Sequence, residues 1–348
     1  GRAAQRMSEA TGLPAKTIHR LLEFEPGGGF VHHEKKPLPY EFIIVDETSM
    51  LDVRLAASLL VAVRPGAHLL LVGDADQLPS VGPGDVLRNL IDCGRFPVVR
   101  LQQVFRQEGG SRIVELAYQV LGGRPSFPYP VVDTPDRPFA GGDAQFLDAA
   151  DPETCLDRIL RLMDFIPKSM PAIQAVRDIQ VIVPLHKGVI GVSNLNQRLK
   201  EKLNPQAASG LFSVGDKVIQ TRNNYDLGVF NGDTGIVMDV DSGDGSLEVD
   251  FVGMRVRYQR SQAGDLALAY AITVHKSQGS EYPVVVLPLL KQHYLLLRRN
   301  LVYTAITRGK RAVFLVGDKD AYAMAVRQSG DLKRMTDLPR KIDRALGG

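Results

Sequence analysis

Two adjacent acidic residues, Asp46 and Glu47, directly follow the apolar run Phe42–Val45. Such a pair at the end of a buried strand can hold Mg²⁺ with one carboxylate and polarise a water molecule with the next. This chemistry is typical of nucleotide hydrolysis. Acidic residues also end strands without any catalytic role, and the pair alone does not separate the two interpretations.

A second apolar run, residues 68–72, is followed by Asp74 and Gln77. In open α/β sheets, ligands bind beyond the carboxyl ends of the strands. We therefore expect Asp46, Glu47 and Asp74 to face one crevice. The Gln77 amide could hydrogen-bond an attacking water or a γ-phosphate oxygen. The alternative is an ordinary polar turn.

Two arginines, Arg106 and Arg308, are candidates for stabilising the charge that develops on a transferred phosphoryl group. Arginine suits this role because its planar guanidinium is always protonated. The two residues lie in different halves of the chain. If both reach one site, hydrolysis would depend on closure of the two halves. Surface salt bridges are the alternative role of any single arginine.

A dense set of polar side chains lies within residues 273–281, immediately before an apolar run. Its hydroxyl, imidazole and ammonium groups suit contacts to a nucleic-acid backbone, and its amide and carboxylate suit contacts to a nucleotide. A solvated loop is the alternative. In the first half, Thr17 and His19 are further candidates for such contacts. A helix-capping threonine and a histidine at the edge of a core explain them equally well.

Strand-length apolar runs alternate with longer helical patterns, which predicts an α/β fold with parallel sheets and crossover helices. The runs are nearly continuous, as in strands covered on both faces. In order, the predicted elements are a strand at 42–45, a helix at 53–63, and strands at 68–72, 179–183 and 284–287, followed by a helix at 295–307 and a strand at 312–316.

Residues 212–260 follow a different pattern, with short β-like runs separated by turns. Asn231-Gly232 and Gly243-Asp-Gly245 are typical of tight hairpin turns. The spacing predicts a small antiparallel β-barrel inserted in the second α/β lobe. Residues 122–142 are rich in proline and glycine and are interpreted as a connector between the lobes.

Length and composition restrict the class of protein. The 348 residues are 44% hydrophobic and 23% charged with a net charge of +3, which is typical of a two-domain globular protein. That charge is too small to indicate a protein that coats polyanions. Two cysteines provide no disulfide framework and favour a cytoplasmic location. The apolar runs are too short to cross a membrane, and we expect no secretory leader.

The order of these motifs resembles that of superfamily 1 helicases, and more narrowly that of the RecD-like branch, which unwinds DNA in the 5′→3′ direction. The resemblance also includes residues 1–22, similar to the end of a DNA-contacting motif, and runs along nearly the whole chain. The matching segments are residues 42–50, 70–84, 104–107, 184–188, 273–281 and 300–308.

The resemblance implies two RecA-like (P-loop NTPase) lobes, with an Src-homology-type barrel at 212–260, and a role in DNA repair or recombination. ATP and Mg²⁺ are the implied cofactors, and single-stranded DNA and duplex junctions the implied partners of a monomer. In the site it implies, Asp46 serves Mg²⁺, Glu47 is the general base, Gln77 couples the γ-phosphate to DNA, and Arg106 and Arg308 are arginine fingers. Asp74, Gly279 and Glu281 are the implied nucleotide contacts, and Thr17, His19, His186, Lys187, Thr273 and His275 the implied DNA contacts.

One family motif does not occur in the 348 residues: the phosphate-binding G-x-x-x-x-G-K-[ST]. In the family, this loop lies before the point that corresponds to Gly1. We therefore expect the chain to be a fragment that begins after the phosphate loop and is inactive alone as an ATPase. We also expect the first sheet to lack a strand, which weakens its edge.

Three alternatives to a RecD-like DNA motor stay open. The first is a non-enzymatic module that binds single-stranded nucleic acid. The second is the helicase part of a conjugative relaxase, and the third is a relative that translocates on RNA. For the motor, the predicted division is a first lobe at 1–140, a connector and the start of the second lobe at 141–211, the inserted barrel at 212–262, and the rest of the second lobe at 263–348.

Overall fold

The structure is a computed structural model that describes residues 2–25, 27, 29–101, 110–127, 131–132, 142–205, 211–329, 334 and 336–346. Within those residues, no helix combines the length and the apolar character needed to cross a membrane.

Helices and strands alternate along much of the chain. The helices are α1 (Arg2–Thr11), α2 (Ile18–Leu21), α3 (Val53–Ala62), α4 (Val86–Asp92), α5 (Arg112–Leu121), α6 (Pro152–Ser169), α7 (Ala175–Asp178), α8 (Val192–Leu203), α9 (Val274–Ser277), α10 (Arg299–Ile306), α11 (Lys319–Arg327) and α12 (Leu338–Leu346). The strands are β1 (Phe24–Glu25), β2 (Gly29–Phe30), β3 (Phe42–Val45), β4 (His68–Leu71), β5 (Val131–Val132), β6 (Ala144–Asp148), β7 (Ile179–Val183), β8 (Lys217–Gln220), β9 (Thr234–Val240), β10 (Leu247–Phe251), β11 (Met254–Tyr258), β12 (Leu266–Leu268), β13 (Ala271–Thr273), β14 (Tyr282–Leu289) and β15 (Gly309–Gly317).

The chain forms two compact units. Residues 1–104 and 331–348 form the first unit, and residues 105–330 form the second. The end of the chain therefore returns to the first unit, whereas the predicted division kept it with the second lobe. The proline-rich connector predicted at 122–142 also lies inside the second unit, where β5 pairs in parallel with β6.

The first unit contains a short parallel sheet in which β3 pairs with β4, as the sequence predicts. Side chains of successive strand residues point to opposite faces. Ile43 and Val45 therefore pack on one face into a core with Leu59 of α3. The core also contains Leu22, Leu38 and Ala62.

The opposite face of this sheet departs from the prediction. The apolar run indicated strands covered on both faces, but the side chains of Phe42 and Ile44 are 57% and 51% exposed. Leu70 and Val72, along and just beyond β4, are exposed as well. Among the described residues, only the face that carries Ile43 packs against a core. The apolar run therefore predicts that a strand forms, but it does not predict that both faces of the strand are buried.

The second unit contains a six-stranded sheet in the order β13-β7-β14-β15-β6-β5, and all the pairings in it are parallel. Helices α6 and α8 contribute side chains to its main core with β7, β14 and β15. Every residue of β7 is buried. This is the doubly covered parallel sheet that the apolar runs predict.

Between α8 and β13, the chain forms a five-stranded antiparallel sheet in the order β11-β10-β9-β8-β12. It has a separate core that contains Val218, Val249 and Tyr258. The predicted short strands are present, but over 217–268 no pairing joins β11 to β12. Closure into a barrel stays a prediction.

Asp216 anchors the antiparallel sheet to the rest of the second unit. Its carboxylate is fully buried and accepts bonds from Lys200 Nζ at 2.7 Å, Asn204 Nδ2 at 2.9 Å and Tyr270 Oη at 2.9 Å. Burial raises the pKa of the Tyr270 hydroxyl, so it stays a donor. One side chain thus joins α8, the start of β8 and the approach to β13.

The observed element boundaries agree with the predicted ones where the apolar pattern is clear, and they differ elsewhere. The strand at 179–183 is confirmed, whereas the helix predicted over 295–307 is α10 and begins at Arg299. Residues 291–293 form a separate 3₁₀ turn. The short strands β12 and β13 have too few residues to show a period.

Candidate functional site

Asp46 and Glu47 leave β3 on a strained turn. Glu47 has φ 52° and ψ 39°, a left-handed conformation that costs a non-glycine residue about 1–3 kcal/mol. Its N–H donates to Asp46 Oδ1 at 2.8 Å. The side chain of Asp46 is exposed and that of Glu47 is half-buried. The turn thus directs two successive carboxylates away from the sheet, in a geometry that the surrounding structure must maintain.

The end of β4 lies directly beside this turn. The N–H of Thr48 donates to the carbonyl of Val72 at 2.9 Å, and Thr48 Oγ1 donates to the carbonyl of Val45 at 3.0 Å. A side chain at Gly73 would approach the N–H of Thr48 to 3.0 Å, so glycine is needed for this close approach. The predicted meeting of the two strand ends at one sheet edge is therefore observed.

The polar turn after Gly73 has its own internal bonds. Asp74 Oδ1 accepts from the N–H of Asp76 at 2.9 Å, and Asp74 Oδ2 accepts from Gln77 Nε2 at 3.3 Å. The carboxylate thus orients the Gln77 amide at the sheet edge that carries Asp46 and Glu47. Both of these bonds lie within the turn, and the predicted role of Asp74 at the nucleotide stays a prediction.

In the second unit, two predicted DNA-contacting pairs lie at one sheet edge. Thr273 of β13 is in register with Val183 of β7, and both strands run in the same direction. His275 therefore leaves the same edge as His186 and Lys187, and all three are exposed. Thr273 caps α9, its hydroxyl accepting from the N–H of Lys276 at 3.4 Å.

Lys276 is a cation at this edge that the predicted site omitted. Its side chain is half-buried, and burial lowers the pKa of its ammonium group. Its presence in the dense polar segment was the only signal in the sequence.

Gly279, Glu281 and Arg308 lie at the opposite edge, before β14 and before β15. Arg308 is 4% exposed, and its guanidinium donates to the carbonyls of Ser280 and Thr304, each at 3.2 Å. Glu281 forms an ion pair with Lys310 Nζ at 2.9 Å. The structure thus divides the nine residues 273–281 between two edges, with the predicted DNA contacts on one and the predicted nucleotide contacts on the other.

Thr17 and His19 lie in the first unit, away from β3 in sequence but beside a short hairpin. Thr17 caps α2, its hydroxyl accepting from the N–H of Arg20 at 3.4 Å. The ring of His19 lies 5.9 Å from that of Phe30 and 6.4 Å from that of Phe24. Phe24 is half-exposed, so β1 and β2 present an aromatic surface next to a predicted DNA-contacting histidine. The sequence signal for it was Phe24 and Phe30 flanking a glycine-rich turn.

Arg106 lies outside the described residues, and its predicted role stays a prediction. The convergence of Arg308 of the second unit with Glu47 of the first also stays a prediction.

A divalent cation would have few protein ligands in the described part of the chain, which has no cluster of three or more histidine, cysteine or acidic side chains able to hold a metal. Mg²⁺ is compatible with this, because it is usually bound by one or two carboxylates together with substrate phosphates and water. The exposed carboxylate of Asp46 at the end of β3 fits that mode of binding.

Known families match three segments of the chain. The AAA domain matches residues 1–83, the ATP-dependent RecD-like DNA helicase SH3 domain matches 195–251, and the UvrD-like helicase C-terminal domain matches 268–316. The ATP-dependent RecD2 DNA helicase of Deinococcus radiodurans is 36% identical over 345 residues, 98% of this chain. The RecBCD enzyme subunit RecD of Mycobacterium tuberculosis is 32% identical over 356 aligned residues, 94% of this chain.

The chain is similar to RecD-like helicases over nearly its whole length. It spans 45% of the Deinococcus protein and 60% of the Mycobacterium protein. The matched helicase SH3 domain covers most of the antiparallel sheet of this RecD-like chain, and the UvrD-like match covers β13, β14 and most of β15.

Solved structures resemble the RecD-like chain in fold. A Pif1 helicase in a study of forked double-stranded DNA aligns with a TM-score of 0.53 and 17% identity, covering 99% of this chain and 84% of that one. Bacteroides Pif1 in complex with ADP-AlF3 and single-stranded DNA aligns with a TM-score of 0.52 and 16% identity, covering 97% and 84%. At this identity the likeness supports the RecA-like α/β fold alone.

Proposed function

We propose that this chain is the motor core of an ATP-dependent DNA helicase that moves 5′→3′ on single-stranded DNA in repair or recombination. The observation that carries the proposal is the strained turn at Glu47, which holds two successive carboxylates beside Gln77 at one sheet edge. Strained backbone persists where the surrounding structure maintains it, and it concentrates at functional sites. The similarity of the chain to RecD-like helicases supports the same assignment.

The first unit supplies the hydrolytic groups in this proposal. When bound, Mg²⁺ would be held by Asp46 and would supply positive charge to the phosphates of ATP. The carboxylate of Glu47 accepts a proton from water as that water attacks the γ-phosphorus. The bond from the γ-phosphorus to the bridging oxygen breaks, and ADP and phosphate leave. Gln77 hydrogen-bonds a γ-phosphate oxygen and couples the presence of the γ-phosphate to the DNA-binding surface.

The second unit supplies the remaining nucleotide contacts in the proposal. Gly279 and Glu281 contact the nucleotide, and Arg308, together with Arg106, stabilises the developing charge on the phosphoryl group. In the present arrangement, Arg308 is bonded to carbonyls of its own unit. These two bonds use two of the five guanidinium N–H groups and orient the side chain of Arg308 within its unit.

The proposed DNA path includes two surfaces. In the second unit it follows the sheet edge at which Thr273, His275, His186 and Lys187 lie. In the first it passes Thr17 and the ring cluster of His19, where exposed aromatic rings can stack on bases. Duplex junctions as partners, a monomeric state and a cytoplasmic location complete the prediction.

Glu47→Gln in the complete gene product tests the catalytic assignment. We expect DNA-stimulated phosphate release to fall at least about 10²-fold, because general-base catalysis contributes about that much or more. Binding to single-stranded DNA should stay within about twofold. Glu153→Gln, an exposed substitution at the start of α6, is the matched control. Normal turnover in Glu47→Gln would remove Glu47 as the base.

A second candidate function, a module that binds single-stranded nucleic acid without hydrolysis, is favoured by the lack of G-x-x-x-x-G-K-[ST] in the 348 residues. We expect the isolated 348-residue chain to bind single-stranded DNA and to release little phosphate from ATP. Binding measured at two salt concentrations against matched DNA and RNA strands distinguishes the nucleic acids. Hydrolysis in the complete gene product but not in this chain would favour the motor.

A further inference from the structure

The loop after Gln77, residues 78–85, packs closely against the start of α3. The N–H of Val53 donates to the carbonyl of Pro83 at 3.0 Å. A side chain at Gly82 would lie 2.4 Å from Asp52 Oδ2, and one at Gly84 would lie 2.2 Å from a methyl group of Val53. The loop therefore leaves no space for a side chain at either glycine.

Three carbonyl groups of this loop converge on one guanidinium. Arg334 Nη1 donates to the carbonyls of Gly82 at 2.6 Å and Gly84 at 2.8 Å, and Nη2 donates to the carbonyl of Ser80 at 2.6 Å. Arg334 is half-buried, and Ser80 is buried. Carbonyl oxygens that point toward one another need a shared donor, and a guanidinium presents five donors in a rigid fork.

A second arginine holds the other side of Gln77. Arg88 of α4 donates to the carbonyl of Ala75 and lies 3.7 Å from Asp76 and 3.4 Å from Asp85. Gln77 is thus flanked by two stretches of chain, one held by Arg88 and the other by Arg334. Burial raises the pKa of Asp85, which the positive charges of both arginines oppose.

The segment that carries Arg334 comes from the far end of the chain. Residues 331–348 follow the second unit in sequence but belong to the first. Helix α12 packs against α4, and Arg95 Nε forms an ion pair with Asp343 at 3.1 Å. The contact of Arg334 with the loop lies close to the point at which the chain re-enters the first unit.

We propose that Arg334 is a positioning residue that fixes the loop 78–85 and thereby the Gln77 amide at the sheet edge of Glu47. Residues near the end of the chain thus set the geometry of a group encoded more than 250 positions earlier. The role of Gln77 in this inference rests on the proposed function. The fixing of the loop by Arg334 is independent of it.

Hydrogen exchange on the 348-residue chain tests the fixing of the loop. In Arg334→Ala, amide exchange over 78–85 should accelerate at least tenfold. Arg334→Lys should lie between this variant and the unsubstituted chain, because a single ammonium nitrogen lacks the planar fork that spans the three carbonyls. Arg340→Ala removes an exposed positive charge from α12 and should leave the loop unchanged. Unchanged exchange in Arg334→Ala would overturn the proposal, whatever the activity of the protein.

A double-mutant cycle in the complete gene product tests whether Arg334 acts through Gln77. We expect Arg334→Ala to lower kcat for DNA-stimulated ATP hydrolysis about tenfold, with KM for ATP changed less than twofold. In a Gln77→Ala background, Arg334→Ala should have no further effect, because residues that act as one unit are not additive. Additive losses would overturn the role through Gln77. Absence of turnover in the unmodified protein would refute the proposed function, and the exchange experiment would still decide the role of Arg334 in fixing the loop.

Discussion

The two parallel sheets of this chain differ in how their apolar strands are covered. In the second unit, all five residues of β7 are buried. In the first unit, β3 has a similar apolar run, but Phe42 and Ile44 are exposed. The proposed hydrolytic carboxylates follow the less covered strand. An apolar run therefore identifies a strand, whereas its contribution to stability depends on what packs on each face.

The second unit also contains a buried polar anchor, the carboxylate of Asp216. We expect Asp216→Ala to lower the free energy of unfolding by about 3–5 kcal/mol, because it leaves the Lys200 ammonium without its buried partner. Urea-induced unfolding, monitored by hydrogen exchange, would assign the loss of unfolding free energy to the second unit. Asp226→Ala, an exposed substitution in the same unit, is the control. An equal loss in both variants would contradict the anchor.

Matched truncations in the two sheets test the comparison directly. Ile182→Ala in β7 should cost about 2–5 kcal/mol, because it opens a cavity at a fully buried site. Ile44→Ala in β3 should cost less than about 1 kcal/mol, because its side chain is already 51% exposed. Denaturant midpoints of the two variants provide the measurement. Similar losses would mean that the exposed face of β3 is covered in solution.

A buried histidine makes the second unit sensitive to acid. His293 is 1% exposed, and burial lowers the pKa of its imidazole to about 4 from the usual 6.5. Its Nδ1 accepts from the N–H of Leu290 at 3.3 Å. The neutral ring contributes fully above pH 6.5. Below that, the unfolded state binds a proton first, so stability falls until about pH 4.

We expect this loss to reach about 3 kcal/mol between pH 6.5 and 4, at 1.36 kcal/mol for each pKa unit. His293→Asn preserves an acceptor and cannot titrate, so its stability should vary less with pH. Thermal unfolding of both proteins at a series of pH values measures the difference. Parallel pH profiles would exclude His293 as the titrating group.

The smallest effect concerns the hairpin between β10 and β11. Val252 has φ 54° and Gly253 φ 89°, so both central residues of the turn are left-handed. Such turns favour Asn-Gly, and a β-branched residue there is strained. We expect Val252→Asn to stabilise the second unit by about 0.5–1 kcal/mol, seen as a higher denaturant midpoint. A lower midpoint would mean that the exposed Val252 side chain makes a contact that offsets the strain.

The sequence predicts the site best where residues follow a strand directly. Asp46, Glu47 and Gln77 meet at one edge because parallel strands β3 and β4 end together. The segment 273–281 is divided between two edges because α9 turns the chain from the end of β13 back to the start of β14. A run of polar residues does not indicate at which sheet edge each residue lies, because the direction of a short helix depends on the elements it packs against.

By itself, the sequence determined the α/β class, the strands that have a clear apolar run and the carboxylate pair that begins the proposed chemistry. These are local properties, set by side-chain period and by which residues end an apolar run. Tertiary structure decided that Arg334 holds the loop beside Gln77, that Arg308 is bonded within its own unit, and that one face of β3 is exposed. Contacts between distant segments depend on how the chain packs, and no spacing along it encodes them.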